Sequence, residues 1–351
     1  MSEEETVVKN RRKARDLGIQ IGSLSVGERN QITDVPGVKV GHVTLSRELE
    51  DQEVIQTGVT AVLPHEGHLF YEKVPAACYV LNGFGKTAGL VQVEELGNLE
   101  APIMLTNTFA IGAVLDGTLD YMLKQTPEVG DTTGTINLVV GECNDSYLNS
   151  IRKRSVKPEH ANLAIENASA SFEEGAIGAG TGMMCFQYKG GIGSSSRKVE
   201  DWHVGVLVNS NFGRREEFRY ANYITSSVDQ DVPDGSIMII IATDAPLDSR
   251  QLKRLSKRAS VGLGRIGSHI HHGSGDIIIA FSNSNRVDQF SEDQVRKFTS
   301  IQDSHPIMNT LFQAVAEATE EAVLNSLTSA HTTEGRKGHR GEALPYELLK
   351  K

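Results

Sequence analysis

Asp234–Leu247 reads DGSIMIIIATDAPL and Gly273–Phe281 reads GSGDIIIAF, and these two stretches decide the fold. In each, a turn-forming glycine-serine step gives way to an isoleucine-rich apolar run, the pattern of a buried strand. Working outward, similar short apolar runs lie at Val59–Leu63, Ala76–Leu81, Ile136–Val140 and Val204–Val208. Helical periodicity marks Lys86–Leu96, Ile111–Lys124, Leu247–Ala259 and Leu311–Leu327, the last with Leu311, Val315, Ala318 and Ala322 on one stripe. Strands packed on helices make a layered α/β fold. No linker-like segment or internal repeat interrupts the 351 residues, so one domain spanning 1–351 is expected.

Composition narrows the function. A chain that is 39% hydrophobic and 23% charged can bury its own core. The net charge of −10 disfavours nucleic acid and acidic membrane surfaces as partners. Cys78, Cys143 and Cys185 are few, odd in number and without metal spacing, which points to a reducing, cytoplasmic setting and no disulfide framework. Neither a secretory h-region near Met1–Arg15 nor a membrane-length apolar run is present.

Arg214–Gly235 has mixed charge and ends in Pro233-Asp234-Gly235, so it reads as a loop feeding the strand that Ser236 opens. Gly235 leaves its own carbonyl unobstructed, and the Ser236 hydroxyl is placed to attack it. An N-to-O acyl shift and ester hydrolysis would free an α-amine on Ser236. With a pKa of about 8, that amine can act as the base for its own hydroxyl. By itself, Gly-Ser before a strand is an ordinary turn, and the rest of the chain gives it weight.

Several blocks in one order carry that weight: TDVPGV (33–38) with Val40-Gly41-His42, TGVTA (57–61), VLNGFG (80–85), PIMLTNTFAIG (102–112), VGECN (140–144), GAGTGM (178–183), VGVLVNSNFG (204–213), and the two opening stretches followed by 311–327. Through them the chain resembles the DmpA-like L-aminopeptidase/D-esterase and β-peptidyl aminopeptidase family, the N-terminal serine hydrolases of peptidase family S58. The resemblance implies a four-layer αββα sandwich with the layout of N-terminal nucleophile hydrolases. It implies autocleavage into 1–235 and 236–351, a homo-oligomer of processed protomers, and no cofactor.

The resemblance also assigns roles. Ser236 becomes the nucleophile, and Ser274 with Asp276 the accessory pair that orients its amine. Asn211 becomes the oxyanion donor, although strand alternation alone points Asn209 to the same face. Glu142 becomes the partner of the substrate's free amino group. Asn144 stands where some relatives carry an oxyanion-donating tyrosine, with Tyr147 further on, and this leaves the second donor open. Read without the resemblance, Ser274 and Asp276 are a polar turn, Asn211 a capped strand end and Glu142 an exposed loop residue.

Other motifs imply less. The glycines at 178, 180 and 182 lack the spacing of a dinucleotide loop. His269, His271 and His272 lack a spaced third ligand, so no metal is expected. Arg250, Lys253, Arg254, Lys257 and Arg258 read as a solvated or subunit-contact helix face, and the tail from His331 as irregular. The functional expectation is a self-processing aminopeptidase or amidase acting on short peptides, amides or esters. The alternatives are an acyltransferase on the same fold and an unprocessed binding protein.

Overall fold

The computed structural model describes residues 11–222 and 235–350. Most of the loop ahead of Gly235, including Pro233 and Asp234, and the first ten residues lie outside the described residues. Nine longer strands form two sheets: β1 (Lys39–Glu48), β2 (Val54–Leu63), β3 (Glu72–Gly83), β4 (Ile103–Asn107), β5 (Val139–Cys143), β6 (Gly191–Val199), β7 (Trp202–Asn211), β8 (Ser236–Thr243) and β9 (Gly275–Ser282). One sheet runs β1-β2-β4-β5, closed by the short strand Thr87–Ala88. The other runs β6-β7-β8-β9-β3, with Val287–Asp288 and Asn98–Leu99 pairing on β3.

The layering follows from the side-chain period of two. Along β8, Ile237, Ile239 and Ile241 join a core containing Leu311, Val315 and Ala322 of a long helix. The alternate residues Met238, Ile240 and Ala242 join a second core with Val62, Leu105 and Val139 of the facing sheet. A strand buried on both faces needs apolar residues at every position, which is why its run never alternates. Each such isoleucine contributes roughly 1.5–3 kcal/mol of burial.

Helices α1 (Leu90–Leu96), α2 (Ile111–Gln125), α3 (Pro158–Glu166), α4 (Ser249–Ser256), α5 (Ala259–Ile266) and α6 (Ile307–Thr328) complete the layers. α2 and α3 cover the outer face of the first sheet, where Val114, Ala161 and Ala164 pack with Val59 and Met104. α4, α5 and α6 cover the second. The result is the expected αββα sandwich. No described helix is long and apolar enough to cross a membrane.

Several details differ from the sequence reading. Residues 136–138 are not strand, because the Asn137 amide N–H and side chain both turn to the Glu100 carboxylate. The helix expected over 247–259 is two helices. The first is capped by Asp248, whose side chain accepts the Gln251 N–H at 2.7 Å. The chain then tightens as Arg258 N–H bonds the Leu255 carbonyl three residues back. The helix expected from Lys86 starts only at Leu90, because Thr87–Ala88 pair with Gly141 and Val140 as a short strand. The basic face of α4 stays partly exposed and is also paired within the chain: Arg250 and Arg254 pair with Asp303, Lys253 with Glu94, and Arg258 lies 4.0 Å from the Phe312 ring centre.

The first and last described segments are docked on the sandwich. Ala14, Ile19, Ile21, Leu344 and Leu348 enter the core. Arg197 on β6 is fully buried and satisfies all its donors: Nε bonds Glu317, Nη1 bonds Ser195 Oγ and the Ser196 carbonyl, and Nη2 bonds Glu321 and the Ile21 carbonyl. Arg15 and Asn30 complete the shell around Glu321. This network ties the N-terminal segment and β6 to α6.

Candidate active site

Strand register gathers the site. β8 and β9 are parallel, joined by a crossover through α4 and α5, so both begin at the same end of the sheet, with Ser236 opposite Gly275. β7 is antiparallel to β8 and ends there, with Asn211 opposite Ser236. β3 ends there too, setting Asn82 opposite Asp276 and Gly83 opposite Gly275. Register also separates the two asparagines that alternation left equivalent. Asn209 lies opposite Met238, one step deeper and fully buried.

Ser236, Ser274, Asp276, Asn211 and Glu142 are all buried, and Asn144 is half-buried. The Gly275 N–H donates to the Gly235 carbonyl at 3.3 Å, so the carbonyl of the Gly235–Ser236 bond already faces a backbone donor. A Cβ at position 235 would come within 2.0 Å of the Asn211 carbonyl oxygen and 2.3 Å of Phe212 Cα, so only glycine fits. The Ser274 hydroxyl donates to Asp276 Oδ1 at 2.6 Å. Asp276 Oδ2 has no hydrogen-bond partner among the described residues. Burial pushes the Asp276 carboxyl up to about 6, against the Ser274 hydrogen bond and the nearby His271, which pull it down.

Asn211 is held at both ends. Its Oδ1 accepts the Met184 N–H at 2.9 Å and its Nδ2 donates to the Asn144 carbonyl at 3.0 Å, leaving one amide hydrogen for another acceptor. Asn144 therefore acts here through its backbone, and its Oδ1 accepts the Ser146 N–H. The Tyr147 ring stacks on His339 at 4.5 Å between centres.

Glu142 comes from the facing sheet, at the end of β5. The turn after β3 connects it to the nucleophile. An ideal Cβ on Gly85 would lie 3.3 Å from Gly275 Cα and 3.6 Å from Glu142 Oε1. Lys86 N–H donates to Oε1 at 2.9 Å, and the Thr108 hydroxyl donates to Oε2. Each oxygen keeps a lone pair for a cation.

Three supporting residues were not singled out from sequence. Asn82 Nδ2 donates to the carbonyls of His271 and His272 and so fixes the turn before Ser274. Thr108 orients Glu142. Lys189, fully buried, donates to the carbonyls of Gly180, Met183 and Gly190 at 2.7–2.9 Å, and burial pushes its ammonium down to about 7. It knots the loop whose Met184 N–H holds Asn211. Asn82 and Thr108 stand inside quoted blocks, while Lys189 offered only the oddity of a lysine in an apolar, glycine-rich run.

The chain is similar to known proteins over most of its length. The family model described as peptidase family S58 matches residues 30–341. The β-peptidyl aminopeptidase BapA of Sphingosinicella microcystinivorans is 38% identical, the match covering 96% of this chain and 91% of that protein. The structure of the PH0078 protein from Pyrococcus horikoshii OT3 superposes with a TM-score of 0.88 at 51% identity, covering 96% of this chain and 97% of that one. An L-aminopeptidase D-Ala-esterase/amidase from Ochrobactrum anthropi, described as a prototype serine aminopeptidase with a variant of the Ntn hydrolase fold, gives 0.86 at 33% identity and 96% coverage of both chains.

Proposed function

The chain belongs to peptidase family S58 and is a serine aminopeptidase, and we propose that it makes its own catalytic base by breaking the Gly235–Ser236 bond. The observation that carries this reading is the side-chain-free Gly235, its carbonyl already bonded by the Gly275 N–H, directly before a buried serine. Ser236 Oγ attacks the Gly235 carbonyl carbon, and the Gly275 N–H stabilises the negative oxygen that forms. The C–N bond breaks, the nitrogen takes the proton, and water hydrolyses the ester. The products are a carboxylate at Gly235 and an α-amine at Ser236.

In turnover that amine accepts the proton of Ser236 Oγ as the oxygen attacks a substrate carbonyl. The free hydrogen of Asn211 Nδ2 is the second donor to the oxyanion, its direction set by Met184 and Asn144. Ser274, donating to the Asp276 carboxylate, keeps a lone pair for the Ser236 amine and orients it. The protonated amine then delivers its proton to the leaving nitrogen, and water frees the acyl group.

Glu142 pairs with the substrate's own ammonium group, which confines hydrolysis to the N-terminal residue of short peptides, amides or esters. The relatives' action on β-peptides suggests that β-amino-acid substrates are among those accepted. Three buried, unpaired cysteines support a cytoplasmic location. Exposed Phe84, Val91 and Leu96 support a homo-oligomer of processed protomers.

Comparing amino-acid p-nitroanilides with their N-acetylated forms tests the reading. Only the free amines should be hydrolysed, and Glu142→Gln should raise KM by about tenfold with a smaller change in kcat. Equal hydrolysis of the blocked substrates would refute the role given to Glu142.

A further inference from the structure

We propose that Glu217, His269 and His271 form a binding site for one borderline divalent transition-metal ion of the Zn2+ type, beside the nucleophile and outside the catalytic constellation. Sequence spacing offered the histidines no third ligand. The fold supplies one from a distant segment: Glu217 Oε1 lies 2.7 Å from His271 Nε2 and 3.6 Å from His269 Nδ1. All three donor atoms fall within 4.8 Å of one another. A tetrahedral ion with bonds of about 2.0–2.2 Å holds its ligand atoms roughly 3.3–3.5 Å apart. His269 is thus at the right separation already, and His271 needs to withdraw only slightly from its hydrogen bond. Two imidazole nitrogens and a carboxylate suit Zn2+, Co2+ or Ni2+ better than Mg2+ or Ca2+.

The surroundings are built to hold these groups. The Glu217 carboxylate is buried, and its other oxygen accepts the Arg214 N–H at 3.0 Å, the kind of outer contact that orients a metal ligand. The ligand-bearing segments are pressed together: Arg219 N–H bonds the Ile266 carbonyl, and at Gly267, where φ is +120°, a Cβ would lie 1.9 Å from the Glu217 carbonyl oxygen. Between the two histidines, Ile270 has φ of +54°, a conformation that strains a β-branched side chain. Such strain persists where surrounding structure imposes it, and it is concentrated at functional sites. His269 is well exposed, which opens a path for the ion and for water as a further ligand.

The site stands on geometry alone and does not depend on cleavage of the Gly235–Ser236 bond. If that bond is cut, Glu217 belongs to one product and the histidines to the other, so the ion cross-links the two chains. It also stiffens the turn in which the His271 carbonyl accepts the Ser274 N–H.

The test is Zn2+ competition against a chromophoric chelator, with thermal melting in parallel, on the full protein and on His269→Gln, His271→Gln and His272→Gln. His272 is an exposed neighbour outside the cluster. The expected result is one saturable Zn2+ per chain and a Zn2+-dependent rise in Tm. The first two variants should bind at least about tenfold more weakly, while His272→Gln binds as the parent does. His269→Gln changes an exposed side chain and tests the site without threatening the fold. Absence of saturable binding, parent-like affinity in His269→Gln, or equal weakening by His272→Gln overturns the proposal.

Discussion

Two buried polar regions of one sheet are built in opposite ways. Around Arg197 every donor of the guanidinium is matched, and the facing carboxylates of Glu317 and Glu321 are saturated by Ser23, Leu24, Gln313, Arg15 and Asn30. At the start of β8 and β9, Asp276 keeps one oxygen without a partner among the described residues, and burial pushes its carboxyl up to about 6. A satisfied network holds segments together, whereas an under-satisfied group retains capacity to bind or to exchange a proton. The first region serves the fold, and the second is where the proposed chemistry is placed.

Substitutions should separate them. Ser236→Ala is expected to have the largest functional effect: no cleavage and activity at background, with stability within about 1 kcal/mol of the parent. Arg197→Ala should do the reverse and cost about 3–5 kcal/mol, because it strands two buried carboxylates. Urea melts of both variants, with turnover measured on the fraction that stays folded, check the contrast. A stable Arg197→Ala chain, or an active Ser236→Ala chain, breaks it.

Asp276→Asn gives a smaller effect with a sign of its own. The carboxyl titrates higher in the folded chain than its ordinary 3.8, so the native state disfavours its charge. That destabilisation is absent below pH 3.8, grows as pH rises towards 6 and is complete above it. The asparagine variant should therefore be more stable at pH 8, by on the order of 2 kcal/mol, and no more stable at pH 3.5. Its kcat/KM should fall and lack the acid limb near pH 6 that is expected of the parent. Stability profiles of parent and variant that run parallel from pH 3.5 to 8 would contradict the assignment.

What the sequence made legible divides along physical lines. Runs such as Ile237–Ala242 announce strands, since burial on both faces demands apolar residues throughout. Ile136–Leu138 alternates apolar and polar ahead of Val139 and Val140 and so extends that strand pattern, but the Asn137 contacts with Glu100 decide otherwise, and a side-chain partner so distant leaves no local trace. The site was legible chiefly through family resemblance. Alternation placed Asn209 and Asn211 alike, and only pairing with β8 distinguishes them. Glu217 could not be joined to His269 and His271 by spacing, because the turn at Gly267 brings them together. The apparently loose ends at Ala14 and Leu344 conceal core residues, since a few apolar side chains in a polar stretch carry no period.

The central claim is that the catalytic base is born by cleavage. Intact-mass spectrometry of freshly purified and aged protein, with N-terminal sequencing of the smaller product, tests it most directly. The prediction is two chains whose masses sum to the 38.2 kDa precursor plus one water, the smaller beginning at Ser236 with the sequence SIMIII. A fully active protein that remains a single uncut 38.2 kDa chain would contradict it.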